Sequence, residues 1–296
     1  MGQYNFDQIL DRTHTKSLKY DFAVKRGKPA DVLPFWVADM DFEIPPELKQ
    51  ILLDRVKHGV FGYTESDDEY FGVLKNWFAT RFNWTPEQKW LVKTPGIVFA
   101  LAMAVRAFTE VGEGVLINQP VYYPFSMVID DNDRRLINVP LIKGDEKYTI
   151  DFERIERAII EENVTLFLLC NPHNPVGRVW TEDELKRLGD ICIKHNVLIV
   201  SDEIHADFVW KGHTHKVFAD LGESYAEHCI VCTAPSKTFN IAGLQVSNIF
   251  IPNDSLRRRF IKEIDRAGYS QLNTMGIVGC EGAYKVGAPW LDELKE

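Results

Sequence analysis

The sequence lacks any apolar run of about 18 or more residues, the length that a membrane-spanning helix requires. It also shows no signal-peptide pattern at its N-terminus, no low-complexity segment and no internal repeat. The chain has 296 residues, of which 45% are hydrophobic and 26% are charged, an ordinary globular composition. A chain of this length can bury one large core and a smaller lobe. These features favour a cytoplasmic location and exclude a membrane partner.

Cysteines are few, and their odd number, five, gives no disulfide framework. Cys229 and Cys232 have the spacing of a metal-binding pair, but residues three apart on a strand point to opposite faces. His213 and His215 could share one face of an extended segment, yet they lie in a polar loop with no third ligand nearby. The sequence therefore predicts no metal site.

The net charge of -9 opposes binding to nucleic acid. The short basic cluster at residues 257–259 is the exception, and we expect it on the solvated face of a helix. The sequence thus predicts no nucleic-acid partner.

Helical patterns and buried-strand patterns alternate from about residue 85 to residue 270. This alternation predicts an α/β fold of three layers, α/β/α, with a mostly parallel sheet. Residues 181–184 form a capping box that should open one of the helices. The predicted strands are residues 115–118, 135–139, 164–170, 197–201, 229–232 and 246–251.

A lone lysine, Lys237, stands in a polar segment that follows the apolar run 229–232. Ligands in open α/β sheets collect beyond the carboxyl ends of the strands, so Lys237 is a candidate ligand-binding residue. A lysine that burial or a nearby cation keeps partly deprotonated can attack an aldehyde. Taken alone, Lys237 fits a solvated loop better than a ligand site.

Two upstream segments carry further polar candidates at predicted strand ends. Asn174 lies in an Asn-Pro-rich turn after the apolar run 164–170, and its amide could hydrogen-bond a phenolate-like oxygen. Asp202 ends the next apolar run and could keep a pyridine nitrogen protonated, with His205 three residues further on. A plain turn is the alternative for Asn174, and a helix cap or surface charge is the alternative for Asp202.

In their order and their separations of 28 and 35 residues, Asn174, Asp202 and Lys237 resemble the fold type I pyridoxal-phosphate enzymes of the class I/II aminotransferase superfamily. The resemblance implies pyridoxal 5'-phosphate as the cofactor. It implies Lys237 as the Schiff-base lysine, Asp202 as the partner of the pyridine nitrogen and Asn174 as the ligand of the ring hydroxyl. His205 and Ser236 are implied as further cofactor contacts.

Other segments extend the resemblance. Gly96, Ile97 and Val98 open a helical pattern and match the phosphate-binding turn, where helix amides favour a phosphate. Tyr122 matches the aromatic residue that stacks on the cofactor. Tyr63 matches the tyrosine lent to the neighbouring subunit's phosphate, which implies a homodimer. Ordinary packing is the alternative for each tyrosine.

Within the superfamily, the sequence is most similar to the cystathionine β-lyases of the MalY/PatB type. Residues 33–42 resemble the N-terminal signature of that group, which implies Trp36, Ala38 and Asp39 at the substrate mouth. His205 stands where aminotransferases usually have tyrosine, and Gln245 stands where they place a phosphate-binding arginine. An aminotransferase and a cofactor-binding regulator of weak activity remain the alternatives.

The resemblance implies β-elimination on cysteine S-conjugates such as cystathionine, with release of a thiol, pyruvate and ammonia. The catalytic residues implied are Lys237 as general base, and Tyr63 and Tyr122 as helpers in proton handling and ring orientation.

The resemblance also implies three parts of the chain. These are an N-terminal arm at the substrate mouth (1–45), a large pyridoxal-phosphate domain (46–285) and the start of a truncated small domain (286–296). In the family, the rest of the small domain carries the arginine that binds the substrate carboxylate. Because this sequence contains no counterpart of that arginine, we expect cofactor binding with poor substrate affinity and weak lyase activity.

Overall fold

A seven-stranded sheet lies at the centre of the protein, in a computed structural model that describes residues 2–296. The strands are β1 (Leu91–Thr94), β2 (Gly114–Ile117), β3 (Arg135–Asn138), β4 (Ile142–Lys143), β5 (Tyr148–Thr149), β6 (Val164–Cys170), β7 (Leu198–Asp202), β8 (Cys229–Thr233) and β9 (Ser247–Phe250). The sheet order is β1-β9-β8-β7-β6-β2-β3, and β4 and β5 form a separate hairpin. Within the sheet, β9 runs antiparallel to both of its neighbours, whereas the pairs from β3 to β8 are parallel.

Helices cover both faces of this sheet. They are α1 (Pro46–His58), α2 (Asp68–Phe82), α3 (Ile97–Phe108), α4 (Pro124–Asp130), α5 (Phe152–Glu161), α6 (Glu182–Lys194), α7 (Glu223–Ala226), α8 (Asp254–Arg266), α9 (Thr274–Val286) and α10 (Ala288–Leu294). Short 3-10 turns lie at Val24–Arg26, Gln88–Trp90, Phe218–Leu221 and Ala242–Leu244. Within residues 2–296, no helix combines the length and the apolar character needed to cross a membrane.

Local signals in the sequence set where several helices begin. The predicted capping box forms at α6, where the Glu184 amide donates to Thr181 Oγ1 at 3.2 Å and the Thr181 amide donates to Glu184 Oε2 at 2.9 Å. Asp67, Asp151, Asn253 and Asn273 cap four other helices through their side chains. These contacts satisfy amides that the first turn of a helix leaves without partners.

Two apolar clusters, one on each face of the sheet, explain why its central strands are apolar at nearly every position. On β8, Cys229 and Val231 join the cluster that α2, α6 and α9 cover, whereas Ile230 and Cys232 join the cluster that α3 and α8 cover. Strands buried on both faces show continuous rather than alternating hydrophobicity. The two thiols therefore point to opposite faces, as the strand periodicity predicted.

The predicted three-layer α/β fold is confirmed, and so are all six predicted strands to within one or two residues at each end. The run at 164–170 matches β6 from end to end. Sequence analysis missed β1, which contains only two apolar residues, and the two-residue strands β4 and β5, because none of them provides an apolar run long enough to be recognised.

The basic cluster on α8 is solvated only in part. Arg258 is 71% exposed, as expected for a solvated helix face. For Arg257 the expectation was wrong, because its guanidinium donates to the carbonyl oxygens of Ile251 (2.8 Å) and Pro252 (3.1 Å) and is 11% exposed. Its long side chain reaches back over the start of its own helix, which a helical pattern alone does not reveal.

The N-terminal stretch up to residue 45 is mostly turns and bends, which agrees with its lack of periodicity. It is nevertheless tied to the rest of the chain. The amides of Gln3 and Tyr4 donate to the Glu293 carboxylate at 2.7 and 2.8 Å, and Met40 and Phe42 bind the side chain of Asn240. The division into an arm and two domains remains a prediction.

Gly287, between α9 and α10, has no room for a side chain. A Cβ there would lie 2.5 Å from the carbonyl oxygen of Ala283 and 2.2 Å from a ring carbon of the buried Phe239. We expect Gly287→Ala to lower the free energy of unfolding by about 1–3 kcal/mol through overpacking. Urea unfolding would measure this change.

Gly72 provides the matched control, because it is exposed within α2 and a Cβ there meets no atom within 4 Å. Gly72→Ala should stabilise the protein by about 0.5–1 kcal/mol, since alanine favours helix more than glycine does. Equal effects of the two substitutions would contradict the clash at Gly287.

Candidate active site

Three parallel strands bring the sequence-predicted polar residues to one edge of the sheet. Cys170 at the end of β6 pairs with Asp202 at the end of β7, and Asp202 pairs with Cys232 near the end of β8. The turn that carries Asn174 follows β6, and the loop that carries Lys237 follows β8. Asn174, Asp202 and Lys237 therefore leave the sheet at the same edge.

The N-terminus of α3 lies at this edge as well. Strand β1 ends at Thr94, which pairs with Ser247 at the start of β9, and α3 begins three residues later at Ile97. The first turn contains no acidic residue, and the space where a Cβ of Gly96 would lie is open. Ile97 is buried and Val98 is partly exposed. Free backbone amides at such a helix start favour an anion.

Tyr122 is held against the Asn174 turn by the backbone. Its amide donates to the carbonyl oxygen of Asn174 at 3.0 Å, and His173 Nε2 donates to the carbonyl oxygen of Pro120 at 2.9 Å. Burial, followed by the charges of Tyr123 and Asp202, raises the pKa of the Tyr122 hydroxyl. Tyr122 therefore lies within electrostatic range of Asp202 and stays protonated at neutral pH.

Asp202 is a buried carboxylate with few hydrogen bonds to offset the cost of burying its charge. Its Oδ1 accepts a hydrogen bond from the Ile204 amide at 3.1 Å. Burial raises the pKa of Asp202 to about 7; Glu203 adds to the rise, while the Ile204 hydrogen bond and the positive charge of Lys237 oppose it. A carboxylate in this environment is poised to accept a hydrogen bond from a cationic or N–H group of a ligand.

Glu203, the neighbouring acid, binds only groups of the protein itself and holds them in place. It accepts hydrogen bonds from Ser201 Oγ (2.9 Å), His215 Nε2 (2.8 Å) and the Phe218 amide (2.9 Å), and both Glu203 and His215 are buried. His215 is thus engaged with a carboxylate. Within residues 2–296, no group of three or more His, Cys, Asp or Glu side chains is arranged to hold a metal ion.

Burial also acts on the two basic candidates. It lowers the pKa of the Lys237 amine, while the carboxylates of Asp39 and Asp202 raise it. It lowers the pKa of His205 to about 4, with the positive charge of Lys237 as a second cause. His205 is therefore neutral at pH 7, and Lys237 loses its proton more easily than a solvated lysine does.

Two side chains missed by sequence analysis hold the loop that contains Lys237. Asp207, which is buried, accepts hydrogen bonds from Thr238 Oγ1 at 2.8 Å and from Trp77 Nε1 at 3.2 Å. Asn240 accepts from the Met40 amide at 2.9 Å and donates to the Met40 carbonyl oxygen at 3.0 Å. Only the tertiary structure reveals these roles, because the partners lie between 31 and 200 residues apart.

The remaining predicted residues lie around two open cavities and on the N-terminal segment. Tyr63, which is 97% exposed, lines a cavity of about 600 Å³ together with Gln245. Asn174 and His205 line a second cavity of about 510 Å³. Ser236 is half-buried in the turn that carries Lys237, and of the three substrate-mouth residues Trp36 and Asp39 are half-buried and Ala38 is exposed. Within one chain, Tyr63 thus lines a different cavity from Asn174 and His205.

The chain's fold and this constellation of residues define a class of protein. Residues 30–278 match the profile of the family "Aminotransferase class I and II". The chain therefore belongs to the class I and II aminotransferase family.

Similarity to individual proteins covers nearly the whole chain. The chain is 44% identical over 290 residues to cystathionine beta-lyase PatB of Bacillus subtilis, a match that covers 98% of this chain and 75% of PatB. The structure of cystalysin from Treponema denticola, which contains a pyridoxal 5'-phosphate cofactor, superposes with a TM-score of 0.93 at 42% identity, covering 98% of this chain and 74% of cystalysin. The pyridoxal-phosphate-bound C-S lyase from Staphylococcus hominis superposes with a TM-score of 0.92 at 35% identity, covering 99% of this chain and 73% of that lyase.

The buried carboxyl of Asp202 predicts a pH-dependent stability in the cofactor-free protein. Because the folded-state pKa of about 7 lies above the ordinary 3.8, folding favours the protonated form, and its contribution to stability is lost as the pH rises towards 7. We therefore expect Asp202→Asn to stabilise the cofactor-free protein more at pH 8 than at pH 5, by roughly 2–3 kcal/mol. Unfolding in urea at both pH values measures this difference.

Asp145→Asn, in the exposed loop between β4 and β5, is the control and should show no such difference between the two pH values. An effect of Asp202→Asn that is the same at pH 5 and pH 8 would contradict the buried, uncompensated state of this carboxyl.

Proposed function

We propose that this protein is a pyridoxal-phosphate-dependent carbon-sulfur β-lyase that cleaves cysteine S-conjugates such as cystathionine. The observation that carries the proposal is the placement of a partly buried lysine amine, Lys237, and a buried carboxylate, Asp202, beyond the carboxyl ends of adjacent parallel strands, where the charge of each affects the pKa of the other. Similarity to cystathionine β-lyase and C-S lyases over nearly the whole chain supports the choice of reaction.

The residues of the site fit the chemical groups of this cofactor. Asp202 offers a buried acceptor that only the Ile204 amide partly compensates, which suits a protonated ring nitrogen. The N-terminus of α3, with Gly96, Ile97 and Val98, offers amides for a phosphate. Asn174 would bind the ring hydroxyl, with His205 nearby, and Lys237, next to Ser236, would hold the aldehyde carbon. Tyr122 would stack on the ring.

When bound, the cofactor supplies an electron sink for the negative charge that develops on the substrate Cα. The protein's residues do the rest. Lys237, whose pKa burial lowers, would take the proton from Cα as a general base once the substrate amine has replaced it on the aldehyde carbon and left its own amine free. The Cβ–S bond then breaks, and its electron pair leaves with the sulfur as a thiolate. Asp202, as an anion, would keep the ring nitrogen protonated.

Tyr63 is proposed to act in the neighbouring subunit of a homodimer. Its side chain is 97% exposed and lines a cavity with Gln245. A large aromatic side chain with so much exposed surface suits an interface in which it reaches another chain's phosphate. Trp36, Ala38 and Asp39 are proposed to line the substrate mouth.

The proposal is tested with the cofactor-loaded protein and cystathionine, in the absence of any 2-oxo acid. We expect pyruvate and thiol to appear in equal amounts, and Lys237→Ala to lower the rate by about 100-fold or more, since it removes the general base. Borohydride reduction and peptide mapping should find the cofactor attached to Lys237.

Lys262→Ala, at an exposed position on α8, is the control and should leave the rate unchanged. Product formation that depends on added 2-oxo acid would favour an aminotransferase. Cofactor attachment without turnover would favour a binding role, and attachment at another lysine would overturn the site.

A further inference from the structure

Asp39 is held in place through one carboxylate oxygen and its main-chain carbonyl oxygen. Its Oδ2 forms an ion pair with the guanidinium of Arg12, and its carbonyl oxygen accepts a hydrogen bond from Lys19 Nζ at 3.0 Å. The carboxylate is 21% exposed on average, yet its second oxygen, Oδ1, is buried and has no hydrogen-bond partner within residues 2–296. A buried acceptor without a donor costs free energy, so a donor that arrives at this oxygen is favoured.

The backbone places this carboxylate beside the lysine loop. Met40, the next residue, forms two hydrogen bonds with the side chain of Asn240, at 2.9 and 3.0 Å, and Asn240 also donates to the Phe42 carbonyl oxygen at 2.9 Å. Asn240 lies three residues after Lys237 in the same turn. This clamp fixes residues 39–42 against the segment that carries Lys237.

Of the carboxylates near Lys237, Asp39 is the one available to accept a hydrogen bond from its ammonium. The carboxylates of Asp39 and Asp202 both raise the pKa of the amine, whereas His205, whose pKa the charge of Lys237 helps to lower, is neutral at pH 7. Asp202 is committed to the ring nitrogen in the proposed function, whereas Asp39 keeps one free oxygen. Tyr122 interacts with Asp202 and stays protonated.

Asp41, two residues away, is engaged differently. Its Oδ1 accepts a hydrogen bond from Arg12 at 2.8 Å, and its Oδ2 accepts one from Lys19 at 3.3 Å. It is 43% exposed. Both of its oxygens are therefore occupied by cations of the N-terminal segment.

We propose that Asp39 is a positioning residue for Lys237, whose free Oδ1 accepts a hydrogen bond from the lysine ammonium. In the proposed reaction, that ammonium forms when the proton moves from the substrate Cα to Lys237 Nζ. The Asp39 carboxylate then stabilises the new positive charge and orients the amine, while Arg12 holds the carboxylate in place. This role rests on the proposed function, whereas the effect of the Asp39 charge on the pKa of Lys237 does not.

The test titrates Lys237 in the cofactor-free protein. The rate at which acetic anhydride modifies Lys237, followed by peptide mass spectrometry from pH 6 to pH 11, reports the fraction of free amine. Because the negative charge of Asp39 favours the ammonium, Asp39→Asn should lower the pKa of Lys237 by about 0.5–1 unit. Asp39→Glu, which keeps the charge, should restore a value close to that of the unchanged protein.

Asp41→Asn is the matched control, since it removes the same charge from the same ion-pair cluster without facing the lysine. Asp41→Asn should leave the measured pKa of Lys237 unchanged. An unchanged titration in Asp39→Asn, or an equal shift in Asp41→Asn, overturns the proposal. Circular dichroism and the unfolding temperature show whether each variant is folded; if Asp39→Asn is not, Asn240→Ser, which releases the clamp, should produce a shift in the same direction.

The loaded enzyme provides the second measurement. With cystathionine, Asp39→Asn should lower kcat by about 3- to 10-fold, the rate equivalent of 0.5–1 pKa unit, with little change in KM. A shifted titration without any lyase activity in the unchanged protein would refute the proposed function and leave the Asp39–Lys237 pairing standing. Lyase activity together with an unshifted titration in Asp39→Asn would support the proposed function and refute the pairing of Asp39 with Lys237.

Discussion

The parallel pairing of β6, β7 and β8 is the constraint on which the candidate active site depends. Parallel strands end at the same edge, so the residues that follow them meet there even though 28 and 35 residues of chain separate them. The continuous apolar character of these strands buries both faces of the sheet and keeps their register rigid. Any shift of one strand would move Asn174, Asp202 or Lys237 away from the other two.

Burial gives these residues their chemical character. Removal from water disfavours charge, so the same environment raises the pKa of Asp202 and lowers the pKa of Lys237. The two pKa values are thereby shifted towards neutral pH from opposite sides. The charge of each group partly offsets the cost of removing the other from water. The surrounding acids are distinguished by their contacts. Both carboxylate oxygens of Glu203 and of Asp207 accept hydrogen bonds from the protein, whereas Asp202 and Asp39 keep acceptor capacity.

Much of the fold was predictable because it follows from local periodicity. The six predicted strands, the capping box of α6 and the divergence of Cys229 and Cys232 all depend on patterns within a single segment. The missed elements are those with weak patterns, namely the four-residue β1 and the two-residue strands of the hairpin. The solvation of Arg257 was mispredicted, because a helical pattern does not show that a long side chain turns back to carbonyl oxygens.

The sequence alone determined the family resemblance and the candidates Lys237, Asp202 and Asn174, because motif order and strand-end positions are properties of the linear chain. The tertiary structure decided which side chains support them. Asp207 reaches Thr238 and Asn240 reaches Met40 only after the chain has folded, across 31 and 200 residues. Whether a carboxylate such as Asp39 has a free oxygen is likewise decided by the whole set of neighbours, since hydrogen bonding and burial depend on contacts that no single segment contains.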